Sequence, residues 1–173
     1  MVKLKLLIGK ERIASKISEI AAEINHDYRE KDLVIVMVLK GAICFAADLI
    51  REITLPTDLQ TVQCSSYGAL GVNRGELKIF GLDSLDITNR DVLLLDDIFD
   101  SGHTLSALQE ALWKKKPRSL KTLVLLSRPA PHLNEIRPDR SGFSIGSEFV
   151  VGYGLDYKER YRGLPGIHIL EEE

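Results

Sequence analysis

Three runs of aliphatic residues restrict the folds that this chain can adopt. Two are unbroken, from Leu33 to Leu39 and from Val92 to Leu95, and the third extends from Leu120 to Leu126. A strand with one face in water alternates apolar and polar residues, whereas a strand covered on both faces does not. The runs therefore predict buried strands of a mainly parallel sheet.

Helical patterns lie between these runs. The spacing of four isoleucines predicts an amphipathic helix from about Lys10 to His26, and similar patterns follow Gly41 up to Ile53 and cover Leu105 to Trp113. The four residues are Ile13, Ile17, Ile20 and Ile24. Strands that alternate with helices predict an α/β fold, an open and mainly parallel sheet flanked by helices.

The remaining pattern is weaker. Leu59 to Ser65 and Leu77 to Phe80 predict two further strands, and the glycine-rich stretch from Tyr67 to Gly75 predicts a loop between them. Beyond Pro129 the apolar pattern degrades to short pieces near Phe149 and Ile167. At 173 residues, one domain is expected.

Composition excludes several classes of partner. The formal net charge is −2 and the sequence pI is about 6.1, so nothing global attracts nucleic acid or an anionic membrane. Cys44 and Cys64 have no metal-ligand spacing, which favours a reduced, cytoplasmic protein. Lys40 and Asp48 interrupt the longest hydrophobic region, so no membrane span is expected.

The loop after Val92 to Leu95 is the strongest functional signal. Asp96, Asp97 and Asp100 are followed by Ser101, Gly102, His103 and Thr104, and a helical pattern begins there. Backbone N–H groups at a helix N-terminus suit a phosphate, while carboxylates accept hydrogen bonds from sugar hydroxyls or hold Mg²⁺. A capped helix with solvated aspartates would explain one carboxylate but explains three poorly. A ribose phosphate would satisfy the whole loop.

Two other polar motifs follow predicted parallel strands. Lys40-Gly41 comes after the first aliphatic run and Ser127-Arg128 after the third. Ligands of open α/β sheets bind beyond the carboxyl ends of strands, so the three motifs should converge. Taken alone, Lys40 could equally be the solvated end of a strand.

The segment from Phe149 to Arg162 combines aromatic residues, glycines, Asp156 and Arg162. Such a segment could stack on a flat base and hold an anion. For Phe149 alone, a core position is the simpler interpretation.

The loop Leu93 to Leu105 resembles the phosphoribosyl pyrophosphate motif of the type I phosphoribosyltransferases. Three further segments, in the same order along the chain, resemble the branch of that family that salvages hypoxanthine and guanine. They are Val38 to Ile50, Ser65 to Gly68 and Phe149 to Arg162. The resemblance implies transfer of a 5-phosphoribosyl group from phosphoribosyl pyrophosphate to a 6-oxopurine, with Mg²⁺. It also implies a small hood built from the N-terminal segment and residues from about 130 to 173, and a homodimer or homotetramer.

The resemblance also implies residue roles. Asp100 would be the catalytic base, and the ribose phosphate would bind to Asp96, Asp97, Asp100, Ser101, Gly102, His103 and Thr104. Pyrophosphate would bind to Lys40, Gly41 and Arg162, and the purine would bind to Arg128, Phe149 and Val150. Mg²⁺ would be held by Asp96, Asp97 and Asp156. Ser66 and Tyr67 would belong to a closing lid. The Lys40-Gly41 segment would contain a non-proline cis peptide.

Two residues depart from the pattern of that family. Asp96 stands where the family usually has Glu, and Arg128 stands where it usually has Lys. Arginine is a planar donor that does not replace lysine one for one, so the order of preference among hypoxanthine, guanine and xanthine stays open.

The sequence also allows two other interpretations, each a different class of protein. One is a regulator that keeps the phosphoribosyl site but binds nucleic acid, which the net charge disfavours. The other is a phospho-receiver domain, which needs its carboxylate pair near the first strand.

Overall fold

The computed structural model contains a six-stranded sheet built around the three aliphatic runs, and it describes residues 2–66, 77–129 and 136–172. With labels numbered along the chain, the sheet strands are Leu33–Leu39 (β2), Thr57–Ser66 (β3), Leu77–Phe80 (β4), Asp91–Phe99 (β5), Ser119–Ser127 (β6) and Arg140–Ser144 (β7). The helices are Lys10–Asp27 (α1), Ile43–Glu52 (α2) and His103–Trp113 (α3), with a 3₁₀ turn at Leu82–Ser84.

The strand order is β4-β3-β2-β5-β6-β7. Every neighbouring pair is parallel except β3 with β4, which form the antiparallel excursion expected from the sequence. The predicted fold class, an open and mainly parallel sheet flanked by helices, is confirmed. Among the described residues, no helix has both the length and the apolar character needed to cross a membrane.

Alternate residues of the central strands face two separate cores. Ile35 and Met37 pack on the side of α1 and α2, where Phe45 is fully buried. Val34 and Val36 pack on the other side against α3. Both faces of β2 are therefore covered by apolar side chains, which explains its unbroken aliphatic sequence.

Strand β5 is longer than its aliphatic run predicts. Asp96 pairs with Val124 and Phe99 with Ser127, so the ladder with β6 continues through the acidic residues. The expectation that Asp96 and Asp97 follow the strand is therefore wrong, because both lie within β5, near its carboxyl end. The backbone hydrogen bonds available from β6 prolong the strand where side-chain polarity alone suggested a loop.

A second sheet joins the two ends of the described chain. Its strands are Val2–Ile8 (β1), Val150–Val151 (β8) and Ile167–Glu172 (β9), in the order β1-β9-β8, all antiparallel. The residue pattern predicted neither β1, whose apolar residues are interrupted by two lysines, nor the short β7.

Tyr28, just after α1, provides a test of the core. Its side chain is only 4% exposed, and its hydroxyl has no hydrogen-bond partner within the described part of the chain. Burial raises the pKa of Tyr28 from 10.0 to about 12. The folded state therefore holds this proton more tightly than the unfolded state, and stability falls as the pH rises from 10 towards 12.

We expect Tyr28→Phe to raise the free energy of unfolding by about 1 kcal/mol at pH 7, because an unsatisfied buried hydroxyl is removed. The advantage should grow above pH 10, where only the wild type must bury or neutralise a phenolate. Urea unfolding of both proteins at pH 7, 9 and 10.5 measures this. If the free energies of unfolding of the two proteins are equal at pH 7 and stay equal at higher pH, the prediction is wrong.

Candidate active site

The carboxyl ends of β2, β5 and β6 lie at one edge of the main sheet because the three strands are parallel and in register. A cavity of about 380 Å³, here called the first cavity, opens at this edge. It is lined by most of the residues predicted for the ribose phosphate, pyrophosphate and metal: Lys40, Gly41, Asp96, Asp97, Asp100, Ser101, Gly102, Thr104, Asp156 and Arg162. Two of the three motifs expected to converge, Lys40-Gly41 and Asp96 to Thr104, therefore lie at this cavity.

Adjacent carboxylates form the floor of the first cavity. Asp96 is only 9% exposed, and its Oδ1 accepts a hydrogen bond of 2.9 Å from the backbone N–H of Asp97. Asp97 Oδ1 accepts one of 2.7 Å from the N–H of Ile98. Burial, together with the neighbouring Asp97 carboxylate, raises the pKa of Asp96 well above its ordinary value. Burial also raises the pKa of Asp97. A ligand that brings hydroxyl donors or a cation to this pair would relieve the repulsion.

Gly41 lets the turn after β2 approach the acids. A Cβ atom at Gly41 would lie 1.6 Å from Oδ2 of Asp97, so only glycine fits. On its other side, the Gly41 carbonyl oxygen contacts Gly154, where a Cβ would lie 2.1 Å away and φ is +101°. The Leu39–Lys40 peptide bond is cis, as the resemblance implies for this segment.

The N-terminus of α3 supplies the opposite wall. Gly102 precedes the helix with φ of +80°, and Ser101, Gly102 and Thr104 line the cavity. Amide groups at such a terminus favour an anion. His103 is the first helical residue; it is exposed and, unlike its neighbours, does not line the first cavity.

Two cations flank the first cavity. Arg162 Nη1 donates to the Gly154 carbonyl at 2.7 Å, and its Nη2 lies 2.8 Å from Asp156 Oδ1. Lys40 Nζ lies 3.1 Å from Glu159 Oε2. The two cations are therefore held by carboxylates, and sequence analysis had not singled out Glu159.

A second cavity of about 400 Å³ adjoins the first and is lined by Asp100, Arg128, Pro129, Gly146, Ser147 and Phe149. Asp100 lines both cavities. The ring of Phe149 is half exposed and meets Tyr157 edge-on, with centroids 5.7 Å apart. A flat apolar ligand in the second cavity would contact this exposed ring face.

Arg128 is held more firmly than its predicted role suggests. Its Nη1 donates to the carbonyl of Gly146 and its Nη2 to that of Glu148 at 2.9 Å, while Nε lies 3.5 Å from Asp100 Oδ1. The guanidinium thus connects the end of β6 to the segment after β7 and to Asp100. Any contact of Arg128 with a ligand is made by a side chain already fixed in place.

Two other predicted residues do not line either cavity. Val150 is buried in β8, where its partner is Ile169. Of the two residues predicted for the lid, Ser66 is the last residue of β3 and Tyr67 lies outside the described residues. Gly146 and Ser147 were missed because they line the second cavity from a loop with no recognisable pattern.

The carboxylates suit Mg²⁺ in one particular mode. Within residues 2–66, 77–129 and 136–172, no group of three or more His, Cys, Asp or Glu side chains could hold a metal alone. Mg²⁺ commonly binds through one or two carboxylates together with substrate phosphates and water. Asp96 and Asp97 fit that mode, since a cation would offset their mutual repulsion. Asp156 is engaged by Arg162 and by the N–H of Glu159.

Comparison with known proteins agrees with this geometry. The phosphoribosyl transferase domain family matches residues 8–158. A hypoxanthine-guanine phosphoribosyltransferase of Bacillus subtilis (strain 168) is 42% identical over 167 residues, 96% of this chain and 93% of the relative. One of Mycobacterium tuberculosis (strain H37Rv) is 43% identical over 173 residues, 96% of this chain and 85% of the relative. The crystal structure of a Bacillus anthracis hypoxanthine-guanine phosphoribosyltransferase superimposes with a TM-score of 0.90 at 35% identity, covering 99% and 100% of the two chains.

The fold and the site therefore define a phosphoribosyltransferase. Within that class, the chain belongs to the hypoxanthine-guanine phosphoribosyltransferase family.

The contact between Gly41 and Asp97 can be tested directly. Gly41→Ala would force the whole Asp97 side chain to move, because the new methyl overlaps its carboxylate. We expect binding of a purine nucleoside 5′-monophosphate to weaken at least roughly tenfold, the loss of one charge-assisted hydrogen bond. Titration calorimetry measures it. Gly163→Ala is the matched control, since its Cβ meets nothing within 4 Å. Equal affinity of the two variants would refute the argument.

Proposed function

We propose that this protein transfers the 5-phosphoribosyl group from phosphoribosyl pyrophosphate to a 6-oxopurine, hypoxanthine or guanine, and releases IMP or GMP and pyrophosphate. One observation carries the proposal: Asp100 lines both the cavity that suits a sugar phosphate and the cavity that suits a flat apolar base. The bond to be made lies between the sugar and the base, so the reacting atoms meet where the two cavities join.

The first cavity binds the phosphoribosyl group. Asp96 and Asp97 accept hydrogen bonds from the ribose hydroxyls, and the N-terminus of α3 binds the 5′-phosphate. Departure of pyrophosphate leaves positive charge on the sugar and negative charge on the leaving group. Lys40 and Arg162 stabilise the latter by electrostatic attraction.

Mg²⁺ carried by the pyrophosphate would bind at Asp96 and Asp97, with Asp156 as a further acceptor beside Arg162. When bound, it neutralises charge on the leaving group. What supports this is the pair of adjacent carboxylates on the floor of the first cavity, whose repulsion a cation offsets.

The second cavity binds the base. Phe149 stacks on the purine, the backbone near Val150 reads its edge, and Asp100 accepts the imidazole proton as the sugar is attacked. Arg128, held by the carbonyls of Gly146 and Glu148, fixes Asp100 in this position and donates towards the purine oxygen. This extends its predicted role from reading the base to orienting the catalytic carboxylate.

The decisive experiment measures nucleotide formation from phosphoribosyl pyrophosphate with hypoxanthine, guanine, xanthine or adenine, with and without Mg²⁺. We expect Mg²⁺-dependent turnover of hypoxanthine or guanine and none of adenine. Asp100→Asn should lower kcat by at least about 100-fold, the usual effect of losing a general base.

The matched control for this assay is Asp83→Asn, which changes an exposed aspartate of the 3₁₀ turn. Near-normal turnover by Asp100→Asn would exclude the general-base role. No product from any purine would exclude the proposed reaction.

Arg128→Lys should change the preference for the base. A lysine ammonium cannot donate in one plane to two carbonyls and Asp100, so the second cavity loses a fixed wall. We expect the ratio of kcat/KM among hypoxanthine, guanine and xanthine to change by about fivefold, equivalent to one hydrogen bond of about 1 kcal/mol. Arg118→Lys, which contacts Asp91 at the other end of β5, is the control. Identical ratios in the two variants would contradict this role.

Three wider inferences accompany the proposal. The partners are the two small substrates, without nucleic acid or membrane. The chain forms one domain, with the three-stranded sheet and the segment after β7 as its hood. A cytoplasmic location and a homodimer or homotetramer stay predictions from the family resemblance.

A further inference from the structure

Glu159 contacts both cations that flank the first cavity. Its Oε2 lies 3.1 Å from Lys40 Nζ, and its Oε1 lies 3.4 Å from Arg162 Nη2. Lys40 is 119 positions away in sequence, so this contact joins the turn after β2 to the segment between β8 and β9. One carboxylate thus engages the two groups assigned to the pyrophosphate.

The backbone around Glu159 is shaped to present this carboxylate. Tyr157 and Arg160 exchange backbone hydrogen bonds across a tight turn, and the two residues between them, Lys158 and Glu159, have φ of +52° and +62°. Residues other than glycine rarely adopt such values. The N–H of Glu159 also donates to Asp156 Oδ2 at 2.8 Å, which helps to hold the turn.

Another anion can easily replace the Glu159 carboxylate at Lys40. The Glu159 side chain is 67% exposed and that of Lys40 is 54% exposed, so water screens the pair. The Lys40 ammonium holds the pKa of the Glu159 carboxyl below its usual value, and the group is an anion at neutral pH. A pyrophosphate, with several charges and more acceptor oxygens, would compete well for both cations.

We infer that Glu159 is an internal competitor for pyrophosphate: its carboxylate binds Lys40 and Arg162 when pyrophosphate does not, and it must be displaced whenever phosphoribosyl pyrophosphate binds. This inference rests on the proposed function. The competition lowers the affinity of the site for pyrophosphate in both the substrate and the product.

Glu159→Gln tests the inference, because the amide keeps the shape of the side chain and removes its charge. We expect tighter binding of inorganic pyrophosphate, by roughly two- to fivefold, the range typical of exposed ion pairs. The KM for phosphoribosyl pyrophosphate should fall by the same factor, while the KM for the purine stays unchanged. Calorimetry with inorganic pyrophosphate, with and without Mg²⁺, gives a readout that does not depend on turnover.

Glu110→Gln is the matched control. Glu110 is another exposed glutamate bonded to a lysine, Lys114, at 2.7 Å, but it lies on α3 away from both cavities. It should leave pyrophosphate binding unchanged. Equal or weaker binding by Glu159→Gln than by this control would overturn the inference and make Glu159 a residue that merely positions the cations.

If Glu159→Gln does not fold, Glu159→Asp decides the question. It keeps the charge but shortens the side chain by one methylene, so its contact with Lys40 is lost and a smaller gain in pyrophosphate affinity is expected. No gain would overturn the inference. Failure of the proposed function gives a different result, because the wild type would then form no nucleotide while the calorimetric comparison still stands.

Discussion

Repulsion between two adjacent carboxylates, Asp96 buried and Asp97 half-buried, is the constraint to which the site is adapted. Asp96 and Asp97 lie near the end of a strand whose other residues, apart from Asp91 at its start, are apolar, and burial raises the pKa of both. Such a pair lowers stability unless a ligand supplies donors or positive charge. The fold accepts this cost because parallel strands on either side of β5 hold it in register. Binding of the ligand and relief of the repulsion are therefore the same event.

Much of the fold follows from the sequence because burial dictates residue type. Strand β2 matches its aliphatic run to the residue, since both of its faces are covered. Strand β1 was not predicted, because Lys3 and Lys5 leave no unbroken aliphatic run there and because its partner, β9, is far away in sequence. The continuation of β5 through Asp96 was also missed, because it depends on backbone bonds to β6.

The same distinction separates the predicted from the unpredicted parts of the site. Lys40, Asp100 and Arg128 could be found because each directly follows a strand recognisable from its apolar residues. Gly146 and Glu148 act through backbone carbonyls, which no residue type encodes, and Glu159 reaches its partners through a turn with positive φ in non-glycine residues. These contacts depend on the path of the chain, so only the structure reveals them.

The close approach of Gly41 to Gly154 has a mechanical consequence. Neither Gly41 nor Gly154 has a side chain, so the backbone of the turn after β2 contacts the backbone of the segment that follows β8. The Asp97 side chain contacts the same turn from the other side. These three pieces of chain therefore form one continuous wall with no side chain between its backbone segments. A side chain added at Gly41 or at Gly154 would push this wall apart and move the Asp97 carboxylate or the turn after β2 away from the first cavity.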